Sequence, residues 1–210
     1  MGLLLSRSEW TGELLRAMEA GRIAPDELTP PERQRLLQHT DTSIRERAVR
    51  FFPAPRAGHR AEALEKFQNV STLTGVVARG EAVFDKQCSS CHAHHGRGHA
   101  VGPNLGEFAG KSMADFLAAT LDPNAAINPN YPAWNLETKD GRHLTGVIRG
   151  ENASGFTLVQ GGGIEEKFLR SDLKEMRPSP LSLMPEGLEQ SLTPQDLADL
   201  ITWIKAPPKK

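Results

Sequence analysis

One short motif constrains this chain more than any other feature. Two cysteines are separated by two residues and followed at once by a histidine: Cys88, Cys91 and His92. This spacing is the attachment signature of a c-type haem. Two thiols so placed can reach the two vinyl groups on one edge of a porphyrin, and the next imidazole can bind the iron axially. The motif predicts one covalently attached haem c, with His92 as an iron ligand.

Two other uses of a cysteine pair at this spacing have to be weighed against haem attachment. Zinc sites and thioredoxin-like redox pairs both contain it. A zinc site needs two further ligands, yet the chain has only two cysteines and both lie in this motif. A thioredoxin-like pair should follow a strand, whereas residues 79–87 have a helical pattern. Haem attachment is therefore favoured, and with both cysteines used in this way no disulfide is expected.

Length and charge restrict the class of protein. A chain of 210 residues can hold one large domain or two small ones. Its net charge of −1 gives no argument for nucleic acid or anionic membrane as a partner. It has no apolar run of about 18 residues, so no membrane span is predicted. Residues 1–5 make a poor signal peptide. Because c-type haem is attached outside the bacterial cytoplasm, we expect a mature form or a piece of a longer, exported protein, periplasmic in bacteria.

The first third of the chain is predicted to be helical. Apolar residues recur at helical spacing in residues 8–18, 32–39, 43–52 and 60–67. Thr29 before Pro30 is typical of a helix start. Residues 40–49 resemble one unit of a HEAT-type repeat. Residues 1–70 are therefore predicted to be a helical N-terminal segment, either the end of a longer HEAT-like array or a small helical cap, with a linker at residues 52–58.

The periodicity changes after residue 131. Alternating segments at residues 134–138, 142–149, 156–160 and 164–169, with a further edge strand before residue 177, predict four or five antiparallel strands. Asp140 and Gly141 form a strong hairpin signal, and Gly146 within a strand suggests a bulge or sharp bend. The chain then returns to a helix capped by Thr193, with Pro194 at its first position.

The order of these elements resembles a class I cytochrome c. The matching features are a helix with Gly80 and Phe84, the haem motif, a loop at residues 102–105, a middle helix, a methionine loop and a last helix with Trp203. The resemblance implies that the first and last helices cross at Gly80, Phe84 and Trp203. It also implies that the carbonyl of Pro103 accepts a hydrogen bond from the proximal imidazole. The predicted fold is mainly α with a β insertion: a cytochrome c domain at 75–207 around one haem, interrupted by strands at 128–178.

A narrower resemblance is to the haem-binding domain of planctomycete and verrucomicrobial proteins. It rests on residues 102–105, 121–124, 130–131, 140–146 and 182–188. In those proteins the domain is typically a C-terminal module behind helical repeats or sugar-dehydrogenase-like domains. The β insertion is unusual for a class I cytochrome, and a lid, a partner-docking surface and a ligand site all remain open for it.

The distance that the chain can span from His92 restricts the choice of the second iron ligand. An extended chain spans at most about 3.3–3.6 Å per residue, so His94 and His95 are too close to His92 to round the porphyrin edge. His99 could do so only fully extended, and these three histidines are interpreted as solvated loop residues. Met184 lies in a proline-stiffened loop, residues 178–185, before the last helix. Met18 and Met113 suit packing better, and Met176 is expected to point into the core of the insertion or to solvent. Met184 is therefore the predicted distal ligand.

These features predict a monohaem electron-transfer protein rather than an enzyme. It would take single electrons from a redox partner protein such as a dehydrogenase and pass them to a respiratory acceptor. A haem-based sensor or enzyme for a gas or peroxide, with a labile distal ligand, is the alternative. A partner-binding or carbohydrate-binding role for the insertion has little support, since its only large aromatics are Trp134, Phe156 and Phe168. The oligomeric state stays open.

Overall fold

The fold comes from a computed structural model that describes residues 4–53 and 59–208, without the side chain of His59. The chain groups into two compact units. The first consists of Met1–Pro55, Pro132–Leu158 and Glu166–Pro185, and the second of Arg56–Tyr131, Val159–Glu165 and Glu186–Lys210. Residues 54–58 of the predicted linker and residues 1–3 of the N-terminal stretch lie outside the described residues. The predicted boundaries at 1–70, 75–207 and 128–178 stay a prediction.

Seven α-helices occur in the described residues, and each falls where the sequence predicts one. They are α1 Ser8–Glu19, α2 Pro30–Leu37, α3 Thr42–Phe51, α4 His59–Lys66, α5 Val77–Gln87, α6 Met113–Leu121 and α7 Pro194–Lys205. The first three belong to the first unit and the other four to the second. None of these described helices is long and apolar enough to cross a lipid bilayer.

Local sequence accounts for several helix starts. The backbone N–H of Thr29 donates to the carboxylate of Glu32 at 2.9 Å, and α2 begins at the proline that follows Thr29. The carboxylate of Asp41 accepts from the N–H of Ser43 at 2.8 Å and caps α3. Thr193 caps α7 in the same way. Each of these side chains satisfies an N–H group that the first turn of a helix leaves without a backbone partner.

The helices of the first unit share one apolar core. Its buried residues are Leu5, Leu14, Leu15, Met18, Leu28, Leu36, Ile44 and Ala48. They come from one stripe of each helix, because residues three or four apart lie on the same helix face. Met18 is 3% exposed, so its predicted packing role is confirmed.

The strands form a short ribbon and a larger sheet. They are β1 Ala93–His94, β2 Arg97–Gly98, β3 Ala133–Thr138, β4 His143–Arg149, β5 Gly155–Gln160, β6 Ile164–Leu169 and β7 Leu173–Pro178. β1 pairs with β2, and the other five form one sheet in the order β6-β5-β4-β3-β7. The predicted set of four or five antiparallel strands is thus present as five. Gly141, with φ of 82°, occupies the β3–β4 turn, where a left-handed backbone favours glycine.

The pairing of β3 with β4 tests one part of the prediction of a bulge or sharp bend at Gly146. β3 and β4 pair in unbroken register past Gly146, which lies opposite Trp134, so the bulge expected at Gly146 is absent from this pair. The register shift lies instead between Glu137 and Thr138, where β3 pairs with β7. The apolar face of the sheet buries Leu136, Leu144, Phe156, Leu158 and Phe168.

The N-terminal helices and the sheet contact each other within the first unit. The N–H of His143 in β4 donates to the carbonyl of Ser6 at 2.8 Å, and its Nε2 lies 2.7 Å from the hydroxyl of Ser8. After β7, the hydroxyl of Ser179 donates to the side chain of Gln38 at 2.8 Å. The sequence predicts the helices and the insertion as separate segments, because no local pattern encodes contacts between residues more than 130 positions apart.

Helices α5 and α7 pack closely in the second unit. A Cβ atom on Gly80 would lie 2.1 Å from the carbonyl oxygen of Asp199, so only glycine permits this approach. The rings of Phe84 and Trp203 lie 4.6 Å apart. Asp199 also accepts from the N–H of Val76 at 2.7 Å, at the start of α5. The resemblance implied a contact at Gly80, Phe84 and Trp203, and all three residues take part in it.

Candidate cofactor site

The end of α5 arranges the cysteine motif. The N–H of Cys88 donates to the carbonyl of Phe84 at 2.8 Å, as the last helical bond. The chain then turns tightly, because the N–H groups of Cys91 and His92 both donate to the carbonyl of Cys88, at 3.0 and 2.9 Å. The two thiols and the imidazole therefore project from a single turn of backbone.

His92 is held through one ring nitrogen. Its Nδ1 lies 2.8 Å from the carbonyl oxygen of Pro103. Since a carbonyl only accepts, Nδ1 carries the proton and the lone pair of Nε2 stays available. A Cβ atom on Gly102 would lie 2.9 Å from the His92 ring, so this glycine lets the loop approach the ring closely. Burial lowers the pKa of His92 below 6.5, although the bond to Pro103 acts in the opposite direction.

The two cysteines are free, half-buried thiols. Burial, together with the neighbouring Cys91, raises the pKa of Cys88 to about 12, and burial also raises the pKa of Cys91. Catalytic and redox-exchanging cysteines have a lowered pKa, because the thiolate is the nucleophile. The surroundings of this pair are therefore unlike those of a reactive dithiol.

A glycine closes the loop that follows the motif. The N–H groups of Val101 and Gly102 donate to the carbonyl of Cys91 at 3.0 and 2.7 Å. Gly98 has φ of 74°, and a Cβ atom there would lie 2.2 Å from the carbonyl oxygen of His92. The loop can fold back onto the motif only because this position lacks a side chain.

The turn between β5 and β6 also reaches the motif. Residues Val159–Glu165 belong to the second unit by their contacts. The N–H of Gly162 donates to the carbonyl of Ser90 at 2.6 Å, between the two cysteines. A Cβ atom on Gly161 would lie 3.7 Å from the sulfur of Cys91, and one on Gly163 would lie 2.4 Å from His99 Nδ1. The sequence pattern predicts only a turn at Gly161–Gly163, although three consecutive glycines exceed what a hairpin needs and indicate a close backbone approach.

The histidines after the motif differ from one another. His94 is 6% exposed, and its Nε2 lies 3.0 Å from the carbonyl of Ile204. The interpretation of His94 as a solvated residue is therefore wrong, because the β1–β2 ribbon packs its ring edge-on against Trp203 at 4.9 Å. His95 is half-buried with φ of 49°, whereas His99 is exposed. No group of three or more His, Cys, Asp or Glu side chains suited to a metal ion occurs in residues 4–53 and 59–208.

The predicted distal ligand lies in a different part of the chain. Met184 belongs to the first unit and Cys88, Cys91, His92 and Pro103 to the second. Met184 is half-buried in a loop without regular structure, and its backbone N–H donates to the hydroxyl oxygen of Ser182 at 3.1 Å. Its role as an iron ligand stays a prediction.

Comparison with known proteins points to one family. Residues 77–145 match the family model for cytochrome c. A curated cytochrome c of Chlamydomonas reinhardtii is 40% identical over 57 residues, which are 25% of this chain and 51% of that protein. The chain thus spans about half the length of the curated relative it matches. These matches support a class I c-type cytochrome domain, and a domain of this family implies covalently bound haem c with iron and haem-based electron transfer.

The residues at the motif fit such a group. The donor set contains two thiols for thioether bonds and an imidazole nitrogen with a free lone pair, which is what attachment and iron ligation require. The bond to Pro103 fixes the ring orientation and raises the basicity of the free nitrogen. The family match ends at residue 145, so it includes the motif and Pro103 but not Met184.

Proposed function

We propose that this chain is a monohaem electron-transfer protein, with one haem c attached through Cys88 and Cys91 and iron bound by His92. The observation that carries the proposal is the 2.8 Å contact between His92 Nδ1 and the carbonyl of Pro103. A ligand histidine almost always donates its other N–H to such a partner. The haem, when bound, supplies a ferric–ferrous couple that carries one electron at a time.

The protein residues prepare the imidazole before any cofactor binds. Burial keeps the His92 ring neutral at pH 7, because its pKa lies below 6.5, and a neutral ring is the form that coordinates iron. Gly102 and Gly98 bring the loop backbone against the ring and the motif. This ordering lowers the conformational cost of presenting the nitrogen in one direction.

Met184 is the proposed second axial ligand. It lies between Ser182 and Pro185, in a loop stiffened by prolines, and proline reduces the entropy lost when a loop is ordered. A methionine thioether raises the reduction potential relative to a second histidine. Replacing Met184 by Ala should therefore lower the potential and allow carbon monoxide to bind, while Met176→Ala should do neither because Met176 packs against the sheet core.

The donor and the acceptor of the electron are proposed by class only. Proteins of this family are typically electron carriers rather than enzymes and usually work outside the cytoplasm, in the periplasm for bacteria. We propose that a dehydrogenase supplies the electron and that a respiratory component accepts it, in an exported protein of the planctomycete and verrucomicrobial type. If the distal ligand is labile, the same site would instead bind a gas or peroxide. Binding of carbon monoxide to the unmodified ferrous protein would distinguish this alternative from electron transfer alone.

Covalent attachment is the decisive measurement. The chain should be produced with a periplasmic haem-maturation system and extracted with acid acetone. We expect one haem to remain on the polypeptide by mass spectrometry, and Cys88→Ala with Cys91→Ala to abolish its retention. His99→Ala is the matched control, since His99 is an exposed histidine close to the motif, and it should retain haem. Haem that extracts completely from the unmodified chain would refute the proposal.

A further inference from the structure

The backbone carbonyls of the cysteine motif take their hydrogen bonds from two sources. Those of both cysteines and of Ser89 accept from N–H groups of the motif itself or of the loop that directly follows it. The carbonyl of Ser90, between the cysteines, accepts instead from the N–H of Gly162 at 2.6 Å. Gly162 lies in the glycine turn, Gly161–Gly163, which joins β5 to β6. A segment far along the chain, within the same unit, therefore completes the backbone of the motif.

Two of the three glycines are required by the backbone of the turn. Gly162 and Gly163 have φ of 80° and 70°, in the left-handed region that residues with a side chain rarely adopt. Gly161 has no such φ, and a Cβ atom there would make an ordinary 3.7 Å contact with the sulfur of Cys91. Neither backbone strain nor crowding by protein atoms requires glycine at position 161, and the turn places bare backbone next to the sulfur.

The glycine turn covers one side of the cysteine motif. Gly161 and Gly162 are exposed, whereas Cys91 is half-buried. The gap between Gly161 and the sulfur is about the size of a methyl group, because a Cβ atom would just fill it. The exposed ring of His99 lies against Gly163, where a Cβ atom would meet its Nδ1 at 2.4 Å. The side of Cys91 that the turn faces is therefore lined by backbone, without a carboxylate or an ammonium group from the turn itself.

In the proposed function, Cys91 forms one of the two thioether bonds. Its S–H adds across a vinyl C=C of the haem: the sulfur bonds to one carbon, the hydrogen to the other, and no net oxidation occurs. The sulfur then links the chain to the porphyrin edge, so groups beside it act on the iron couple. Exposure to solvent and nearby charge both influence the potential of that couple, because the ferric state carries one more positive charge than the ferrous state.

We propose, on the basis of that function, that the glycine turn is a positioning element of the haem site. It fixes the peptide of Ser90 between the two cysteines and keeps water away from the Cys91 edge. Exclusion of water disfavours the more highly charged ferric state, so the closed turn raises the reduction potential. Through this turn the β insertion contributes to the redox site and is more than a spacer.

A charge placed at Gly161 tests how closely the turn approaches the cofactor. In the haem-loaded full chain, Gly161→Asp should lower the reduction potential and Gly161→Lys should raise it, since a carboxylate favours the ferric state and an ammonium group disfavours it. Gly161→Ala adds no charge and should leave the potential nearly unchanged. Gly150→Asp is the matched control, because Gly150 is an exposed glycine in the turn before β5, and it should give no shift.

The possible results separate the role of the turn from the proposed function. Shifts of the same sign in Gly161→Asp and Gly161→Lys, or no shift in either, would overturn the role of the glycine turn while the proposed function stands. An unmodified chain that retains no haem after acid-acetone extraction would refute the proposed function, and the role of the turn with it.

Amide hydrogen exchange tests the contact with Ser90 independently. In the reduced, haem-loaded chain the Gly162 N–H should exchange slowly, because it donates to the carbonyl of Ser90. Gly163→Val should speed this exchange and lower the potential, since a β-branched residue is strained at φ of 70°. Gly150→Val is strained in the same way at φ of 55° and should change neither. Rapid exchange of Gly162 in the unmodified chain would contradict the positioning role, and this measurement decides if Gly163→Val does not fold.

Discussion

Two regions of this molecule bury histidine rings and use the ring nitrogens in opposite ways. In the second unit, His92 donates from Nδ1 to Pro103 and keeps the lone pair of Nε2. In the first unit, His143 has both nitrogens engaged, Nε2 with Ser8 at 2.7 Å and Nδ1 with the hydroxyl of Thr40. Burial lowers the pKa of both rings. Burial and neutrality therefore do not distinguish the two rings, whereas the lone pair that His92 keeps on Nε2 does.

The largest effect on the haem spectrum is expected from replacing His92, and replacing His143 provides the comparison. His92→Ala should abolish the low-spin haem spectrum, because the proposed proximal ligand is lost. His143→Ala should leave that spectrum unchanged and reduce stability, because its bonds to Ser8 and Thr40 hold α1 and the loop after α2 to β4. Absorption spectra and urea unfolding of both variants make the comparison. Loss of the haem spectrum in a folded His143→Ala variant would contradict the different roles assigned to the two histidines.

The first unit should also respond to acid through His39. Its pKa is lowered from 6.5 to about 3, first by burial and then by the charge of His143, with Arg45 and Arg35 acting in the same direction and Asp41 against it. In the unfolded chain, His39 therefore takes up a proton as the pH falls below 6.5, whereas in the folded chain it does so only at about pH 3. By linkage, the stability contributed by the neutral ring is complete above pH 6.5 and falls as the pH drops toward 3.

This loss is measurable between pH 7 and pH 5. The free energy of unfolding should decrease by about 2 kcal/mol from this group over that interval. His39→Asn should remove most of this decrease, since asparagine does not titrate. The control His99→Asn should keep the profile of the unmodified chain, because that side chain is exposed. An unchanged profile in His39→Asn would assign the acid sensitivity to another group.

A smaller effect is expected where α5 meets α7. The hydrogen bond from Arg79 holds the pKa of Asp199 below its ordinary 3.8, so this carboxylate stabilises the fold above about pH 4 and stops doing so as the pH falls through its lower folded value. Asp199→Asn should cost roughly 1–3 kcal/mol at pH 7 and less at pH 3. Asp85→Asn is the control, since Asp85 pairs with Arg97 at the surface, and its effect should be far smaller. Equal losses at pH 7 and pH 3 would count against a role for the charge.

Sequence alone predicted much of this molecule because its signals are local. The caps at Thr29 and Thr193 and the turn at Gly141 each depend on a few neighbouring residues, and the spacing of apolar residues predicted the seven helices and the five strands of the larger sheet. The candidate site was predictable for the same reason, since a fixed spacing of Cys88, Cys91 and His92 carries its chemistry.

What was missed depends on contacts between distant segments. His94 lies among glycines, so its local sequence suggests a solvated loop, yet Trp203 and the carbonyl of Ile204 bury it. A small cavity in the first unit is lined by His39 and by Asn135 of the sheet, which are about a hundred residues apart. No local pattern predicts that these two residues lie close together. Gly146 makes no bulge in the β3–β4 pair, because glycine permits a bulge without requiring one.

The smallest predicted effect concerns the glycine turn beside the motif. Gly163→Ala should destabilise the protein by about 1–2 kcal/mol, because an L residue is strained at its φ of 70° and the new Cβ would meet the His99 ring at 2.4 Å. The exposed His99 ring can move aside, which keeps the loss small. Gly161→Ala is a matched control in the same turn, since its Cβ would make an ordinary 3.7 Å contact with the sulfur of Cys91. Thermal unfolding of both variants separates backbone strain from crowding at the motif. A larger loss of stability in Gly161→Ala than in Gly163→Ala would contradict this prediction. It would mean that contact with the sulfur of Cys91, and not backbone strain at Gly163, limits substitution in this turn.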